Sequence, residues 1–327
     1  MYPIDEILRK GAVLADEVEV YLTKGVALSG EVKRAQVSRV AESRYFSLSV
    51  RTIKDGRIGT SQSSNPRDWE KCLDASVASG TLATEQTWNG LPHPAKLDSR
   101  PIAFDPSLTP DNDIMLGLLE GMIEGASSHP VEVTSGGASL SVQNTTLANS
   151  NGLFYSRPRS DVSASIETIR ENSTGYEFGN SYTMDLDPVS IGDRAGFLAS
   201  ASYGGIDISS GPYDVVLSPV AFAQLIGAVL LPALSGRNVH AGRSKLATSL
   251  GDQVIDPSLS LSDDPFLENG LGSTRWDAEG VPTRHLSFIR KGVLQHFSYD
   301  LKTASRYGKE STGSAVRAGH GGGPAIG

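Results

Sequence analysis

The chain has 327 residues, 39% hydrophobic and 20% charged, with a formal net charge of −8. That length exceeds what one ordinary core organises, so more than one domain is expected. An acidic chain without a Lys/Arg cluster argues against direct nucleic-acid contact and against docking on an anionic membrane.

Cys72 is the single cysteine, which excludes a disulfide framework and a cysteine-rich zinc site. The start, "MYPIDEILRK", is acidic and poor in apolar residues, unlike a signal peptide. The longest apolar run, 219–234, is interrupted by Gln224, Gly227 and Pro232 and falls short of the roughly 20 residues of a membrane span. A cytoplasmic protein is therefore expected.

In chain order, "PIDEILRKGAVLA" places apolar residues at 4, 7, 8, 12, 13 and 14, a helix period. The stretches 18–25, 26–43 and 45–64 alternate in polarity and read as a β-meander. Its clearest turn is Asp55-Gly56. "RDWEKCLDASVASGTLA" returns to a helix period, with Trp69, Cys72, Leu73, Val77 and Leu82 towards a core. Residues 88–113 are proline-rich and aperiodic, a linker.

A second unit opens with the helix "DIMLGLLEGMIEGASS" and continues as strands, with a turn at "NSNG", 149–152. This helix-then-strands order resembles that of the first unit. Residues 187–205 suggest a helix followed by a hinge, and "GPYDVVLSP" a strand. Ser218-Pro219 gives an N-cap with proline at the first helical position. The remainder is strand-and-turn sequence.

The expected class is α+β, with helix-plus-antiparallel-sheet N-terminal units followed by a mainly β C-terminal domain. The expected boundaries are 1–90 for the first unit, 91–110 for the linker, 111–205 for the middle unit and 206–327 for the last.

The sequence carries no G-x-S-x-G, phosphate-binding loop, G-x-G-x-x-G or H-E-x-x-H. The histidines (93, 129, 240, 285, 296 and 320) include no pair at helical spacing, so a zinc site would need distant positions. The densest acids are Asp263, Asp264, Asp277 and Glu279. They suit a hard cation or an acid/base pair, or more simply turns in which carboxylates cap backbone N–H groups. Arg237, Asn238, His240, Arg243 and Ser244 follow the apolar helix and could grip a peptide backbone or carboxylate, or form a solvent loop.

"EVEVYLTKG", "SLSVRTIKDGRIGTSQSS", "LANSNGLFYS", "SGRNVHAGRSKLATSLGDQV", "LSLSDDP" and "RWDAEGVPTRHLSFIRKGVLQHFSYDLKTASRYGKESTGSAVR" carry a resemblance over nearly the whole chain. The sequence resembles the TldD/PmbA family, described also as modulators of DNA gyrase, in its PmbA (TldE) branch. The resemblance implies that TldD-type subunits are zinc metallopeptidases with H-E-x-x-x-H on a helix. PmbA-type subunits lack that motif and pair with them around a chamber for unstructured peptides.

Laying the motif on this chain puts its two histidines at Gly227 and Pro232 and its glutamate at Ala228. The chain would then be a non-catalytic subunit without its own cofactor, zinc residing in a TldD-type partner. Extended peptides would be substrates, and a homodimer would be possible without that partner. The resemblance also implies that relatives continue past the equivalent of Gly327, so the last domain is expected to be incomplete. The alternatives are a homodimeric peptide-binding scaffold without peptidase activity and an independent metal-dependent hydrolase using the acids at 263–279.

Overall fold

The computed structural model describes residues 3–100, 102–317 and 324–326. The first unit runs α1 (Ile4–Leu14), β1 (Glu17–Lys33), β2 (Gln36–Lys54), β3 (Arg57–Ser63) and α2 (Trp69–Thr81). The second repeats that order as α3 (Asn112–Ser127), β4 (Glu132–Asn149), β5 (Phe154–Arg170), β6 (Ser173–Ser181) and α4 (Pro188–Ala201). Their strands form one antiparallel sheet in the order β3-β2-β1-β4-β5-β6. The seam is the β1–β4 pairing, from Glu19 opposite Asn149 to Lys33 opposite Ser135. Read outward from that seam, both halves have the same topology.

The alternation of β1 explains the layering, because successive side chains point to opposite faces. Val18, Val20 and Leu22 pack with Ile7, Cys72 and Leu73 from α1 and α2. Leu28 and Val32 pack with Met115, Leu119 and Met122 of α3. The opposite face carries Glu19, Tyr21, Thr23 and Ser29, and this polar face receives the third unit. Asp111 caps α3, its carboxylate accepting from the N–H groups of Asp113 and Ile114.

The strands run longer than the sequence suggests. Gly25 lies inside β1, where a Cβ would come within 2.6 Å of the Tyr45 hydroxyl. Gly136 lies inside β4, where a Cβ would meet the Ser165 carbonyl at 2.9 Å. Both glycines permit close approach within a sheet rather than a turn. The first hairpin turns instead at Arg34-Ala35, both at positive φ. Asp55-Gly56 turns as expected, also with positive φ at both residues.

The segment between α2 and α3 has no regular element yet is packed. Leu91, Ala103 and Leu108 are buried, and the Asn149 amide donates to the Pro92 carbonyl at 2.8 Å.

The third unit has short elements. α5 (Pro219–Leu225) passes through a π-helical turn, Ile226–Leu230, into α6 (Leu231–Leu234); α7 (Gly236–His240) follows. β7 (Leu261–Asp263), β8 (Leu286–Arg290) and β9 (Val293–Leu294) make a small antiparallel sheet. After α8 (Leu301–Tyr307), β10 (Ala315–Arg317) pairs with β11 (Pro324–Ile326). Its core gathers Leu234, Phe288, Ile289, Leu294 and Tyr299.

The expected strand at "GPYDVVLSP" does not form. No described strand lies beside it to satisfy a ladder, and Val216 is 98% exposed. The molecule is α+β, helices on antiparallel sheets. None of its described helices is long and apolar enough to cross a membrane.

Candidate functional site

The third unit meets the sheet through the turn at Trp276–Val281. Asp277 builds that turn: one carboxylate oxygen accepts from the N–H groups of Glu279 (2.9 Å) and Val281 (3.0 Å), the other from that of Ala315 (3.1 Å). Gly280 adopts φ 83°, and a Cβ there would crowd Leu147 and Leu153. The side chain of Glu279 is thereby turned into the sheet.

Arg51 of β2 donates to Glu279 (Oε1, 2.8 Å) and to Glu19 of β1 (Oε2, 2.6 Å). Arg317 of β10 closes the chain of charges on the other Glu19 oxygen. The second Glu279 oxygen accepts from the Leu301 N–H at 2.6 Å, at the start of α8. All four side chains are nearly inaccessible.

Burial pushes Glu279 up to about 7, against the opposing pull of Arg51. Asp277 is pushed up to about 6 by burial, opposed by the N–H groups it caps. Burial disfavours the Arg51 charge, but Glu19 and Glu279 outweigh it and hold the guanidinium charged. Such a network is costly to bury and still more costly to break, so it clamps the third unit in one register on the sheet.

Beside this clamp lies a cavity of about 330 Å³, walled by the polar sheet face and by the turns around Trp276 and Ser314. Arg157, Arg159, Arg317, Asp263 and Asp277 bring charge to it. Arg157 donates to the Trp276 carbonyl at 2.7 Å and stacks over the Trp276 ring, 4.2 Å from its centroid. Burial lowers the pKa of Arg157, but a guanidinium remains charged.

The acids singled out in the sequence therefore divide. Asp263 and Asp277 line the cavity, and Asp263 accepts from the Ser314 hydroxyl at 2.9 Å. Glu279 belongs to the clamp. Asp264 is exposed and caps the Phe266 N–H.

The residues after the apolar helix sit elsewhere. The Asn238 amide donates to the Pro232 carbonyl (2.8 Å) and the Ser244 hydroxyl to the Ala233 carbonyl (2.6 Å), closing the end of α6. His240 stacks on Tyr307, with centroids 3.7 Å apart. Arg237 and Arg243 are exposed.

Gly227, Ala228 and Pro232 lie on the solvent-facing α5–α6 helix, and a Cβ at Gly227 would meet nothing within 4 Å. None of the three side chains offers a metal ligand, so these positions do not fit a zinc ion. Among the described residues no group of three or more His, Cys, Asp or Glu is placed to hold a metal. His320 lies outside the described residues.

Sequence reasoning passed over Glu19, Arg51, Arg157 and Arg317. Their one signal was charge of both signs at matching register, since Glu19 stands directly opposite Arg51.

Three domain models of one family match in order: the PmbA/TldA metallopeptidase domain 1 over 18–80, the central domain over 105–203 and the C-terminal domain over 210–327. The chain belongs to the PmbA/TldA metallopeptidase family. It is 29% identical over 317 residues to an uncharacterized protein of Methanocaldococcus jannaschii, covering 96% of this chain and 74% of that one. Against the metalloprotease PmbA of Escherichia coli O157:H7 it is 24% identical, covering 92% and 70%. The crystal structure of TldE from Thermococcus kodakarensis superposes with a TM-score of 0.88 at 25% identity, covering 99% of this chain and 75% of that one. The PmbA/TldA fold is thus present in all three units.

Proposed function

We propose that this family member is the non-catalytic subunit of a two-component zinc metallopeptidase. It would pair with a TldD-type subunit that supplies the metal and would help hold extended peptides for cleavage. The observation that carries this reading is the α5–α6 helix. From Pro219 to Leu234 it has no charged, histidine or cysteine side chain.

Its π-helical turn bonds the Leu231 N–H to the Ile226 carbonyl, five residues back. Position 227 lies on that turn and position 232 just past it, five residues apart. That is the spacing of the two histidines in the motif this chain resembles. Gly227 and Pro232 provide no metal ligand and Ala228 cannot act as a base. Proline at 232 also removes the N–H that an α-helical bond to residue 228 would need, which favours the wider turn.

The same helix supports a partner. Phe222, Leu225, Val229 and Leu231 are 40%, 49%, 64% and 41% exposed on it. An apolar surface of this kind marks an interaction face. Peptides would bind by adding as strands along a sheet, which gives affinity with little sequence preference.

The test is peptide hydrolysis together with zinc content for this chain alone, a TldD-type subunit alone and the two co-purified. Cleavage by the mixture, with zinc following the partner, is the expected result. Cleavage with stoichiometric metal in this chain alone, or failure of the two to co-purify, would overturn the reading.

A further inference from the structure

We propose that the cavity between the sheet and the Trp276 turn binds the free α-carboxylate at the C-terminal end of a peptide, with Arg157 as its anchor. The choice of a peptide as ligand rests on the function proposed above. The choice of a carboxylate rests on the cavity itself.

Three guanidiniums reach this space, and two are already committed. Arg159 is held by both oxygens of Asp161, with contacts of 2.7–3.0 Å. Arg317 is held by Glu19 and by the Ala278 carbonyl. Arg157 differs: its partners are the Trp276 carbonyl and the Tyr21 side chain, Asp277 acts on it only through space, and among the described residues it forms no direct ion pair. A guanidinium has five N–H donors in a planar fork, more than these two contacts use. Desolvation is the largest influence on this guanidinium, against weaker opposing pulls from Tyr21 and Asp277, and an arriving anion would offset that cost.

The two lining carboxylates do not fill this role. Both Asp277 oxygens are occupied by backbone N–H groups, and Asp263 takes the Ser314 hydroxyl. They do shape selectivity. With Asp263 and Asp277 on the wall, a dianion such as phosphate is repelled more than a singly charged, planar carboxylate that the guanidinium fork can match.

The volume, about 330 Å³, lies at the small end of ligand cavities, suited to the end of a peptide rather than to a folded partner. Ile102, Pro158, Pro265 and Val316 offer apolar contact to the terminal side chain, while the Ser273 and Thr274 hydroxyls already donate to the Leu267 and Trp276 carbonyls. Stacking on Trp276 fixes the plane of the guanidinium before the ligand arrives, which reduces the ordering cost of binding.

The experiment is calorimetric titration of the full chain, at neutral pH and low salt, with N-acetylated Ala-Ala-Leu as the free acid and as its C-terminal amide. The two peptides differ only in the carboxylate. The acid should bind about tenfold or more tightly than the amide, as loss of a charge-assisted bidentate contact predicts. Arg157→Gln should abolish the difference, and Arg157→Lys should retain part of it.

If the Gln variant loses stability along with its bond to Trp276, the acid–amide comparison on the unaltered chain still decides the matter. Equal binding of the two peptides, or binding of neither, would overturn the carboxylate site. The peptidase-subunit reading would then still stand or fall on hydrolysis with the partner.

Discussion

At the scale of single residues, the clamp sets a pH dependence that can be measured. Glu279 holds its proton more tightly in the folded chain, at about 7, than its ordinary value of 4.5. Between those values the folded state binds the extra proton, so stability falls as pH rises through that window. One proton contributes at most about 1.4 kcal/mol per pH unit. Asp277, raised from 3.8 to about 6, adds in the same direction over the lower part of the range. Chemical denaturation at intervals from pH 5 to 8 should show this decline, and Glu279→Gln should flatten it, since a neutral amide cannot titrate. An unchanged slope in the variant would mean that Glu279 is already ionised throughout the range, held so by Arg51.

At the scale of elements, the helices of the second unit approach one another closely enough to exclude side chains. A Cβ at Gly125 of α3 would lie 2.0 Å from the Val189 carbonyl, and one at Gly192 of α4 would lie 2.0 Å from the Met122 carbonyl. The obstacles are backbone atoms, which cannot rotate away. Gly125→Ala should therefore destabilise the chain by about 2 kcal/mol or more, the upper part of the range for overpacking. Loss of melting temperature relative to Gly117→Ala, at an exposed position of α3 where a Cβ meets nothing within 4 Å, would measure it, and a neutral effect would show that the two helices can separate freely.

These glycines also show what the sequence leaves unread. The periodicities of 4–14, 69–81 and 112–127 sufficed to place α1, α2 and α3, because apolar spacing reports a local face. The paired helix–strand order of the two units was also visible. Gly25, Gly136 and Gly125 were ambiguous, since the same residue serves a turn or a close contact and only the neighbour distinguishes them. The candidate site was harder still. Asp277 and Glu279 stood out as acids, but Arg51 and Arg157 acquire meaning only when a distant turn, 276–281, folds onto their strands.

At the scale of the molecule, the two N-terminal units cannot be separate folding bodies in the usual sense. β1 is an inner strand only because β4 covers its second edge along fifteen residue pairs. A fragment of residues 1–90 retains α1, α2 and the helix-facing core of Ile7, Val20, Leu48 and Leu73, but exposes the whole of that edge. An uncovered edge of this length is a template for pairing with another chain. The two halves read alike outward from the seam, so the readiest substitute for β4 is β1 of a second fragment. The fragment should therefore leave the monomeric state, as a dimer through β1 or as larger species, when examined by light scattering across a concentration series. Lys24→Pro on that edge removes a donor from any added ladder and should shift it back towards monomer. A fragment that stays folded and monomeric at high concentration would show that α1 and α2 alone stabilise a three-stranded sheet. The β1–β4 seam would then be a docking surface between two independent domains rather than the centre of one.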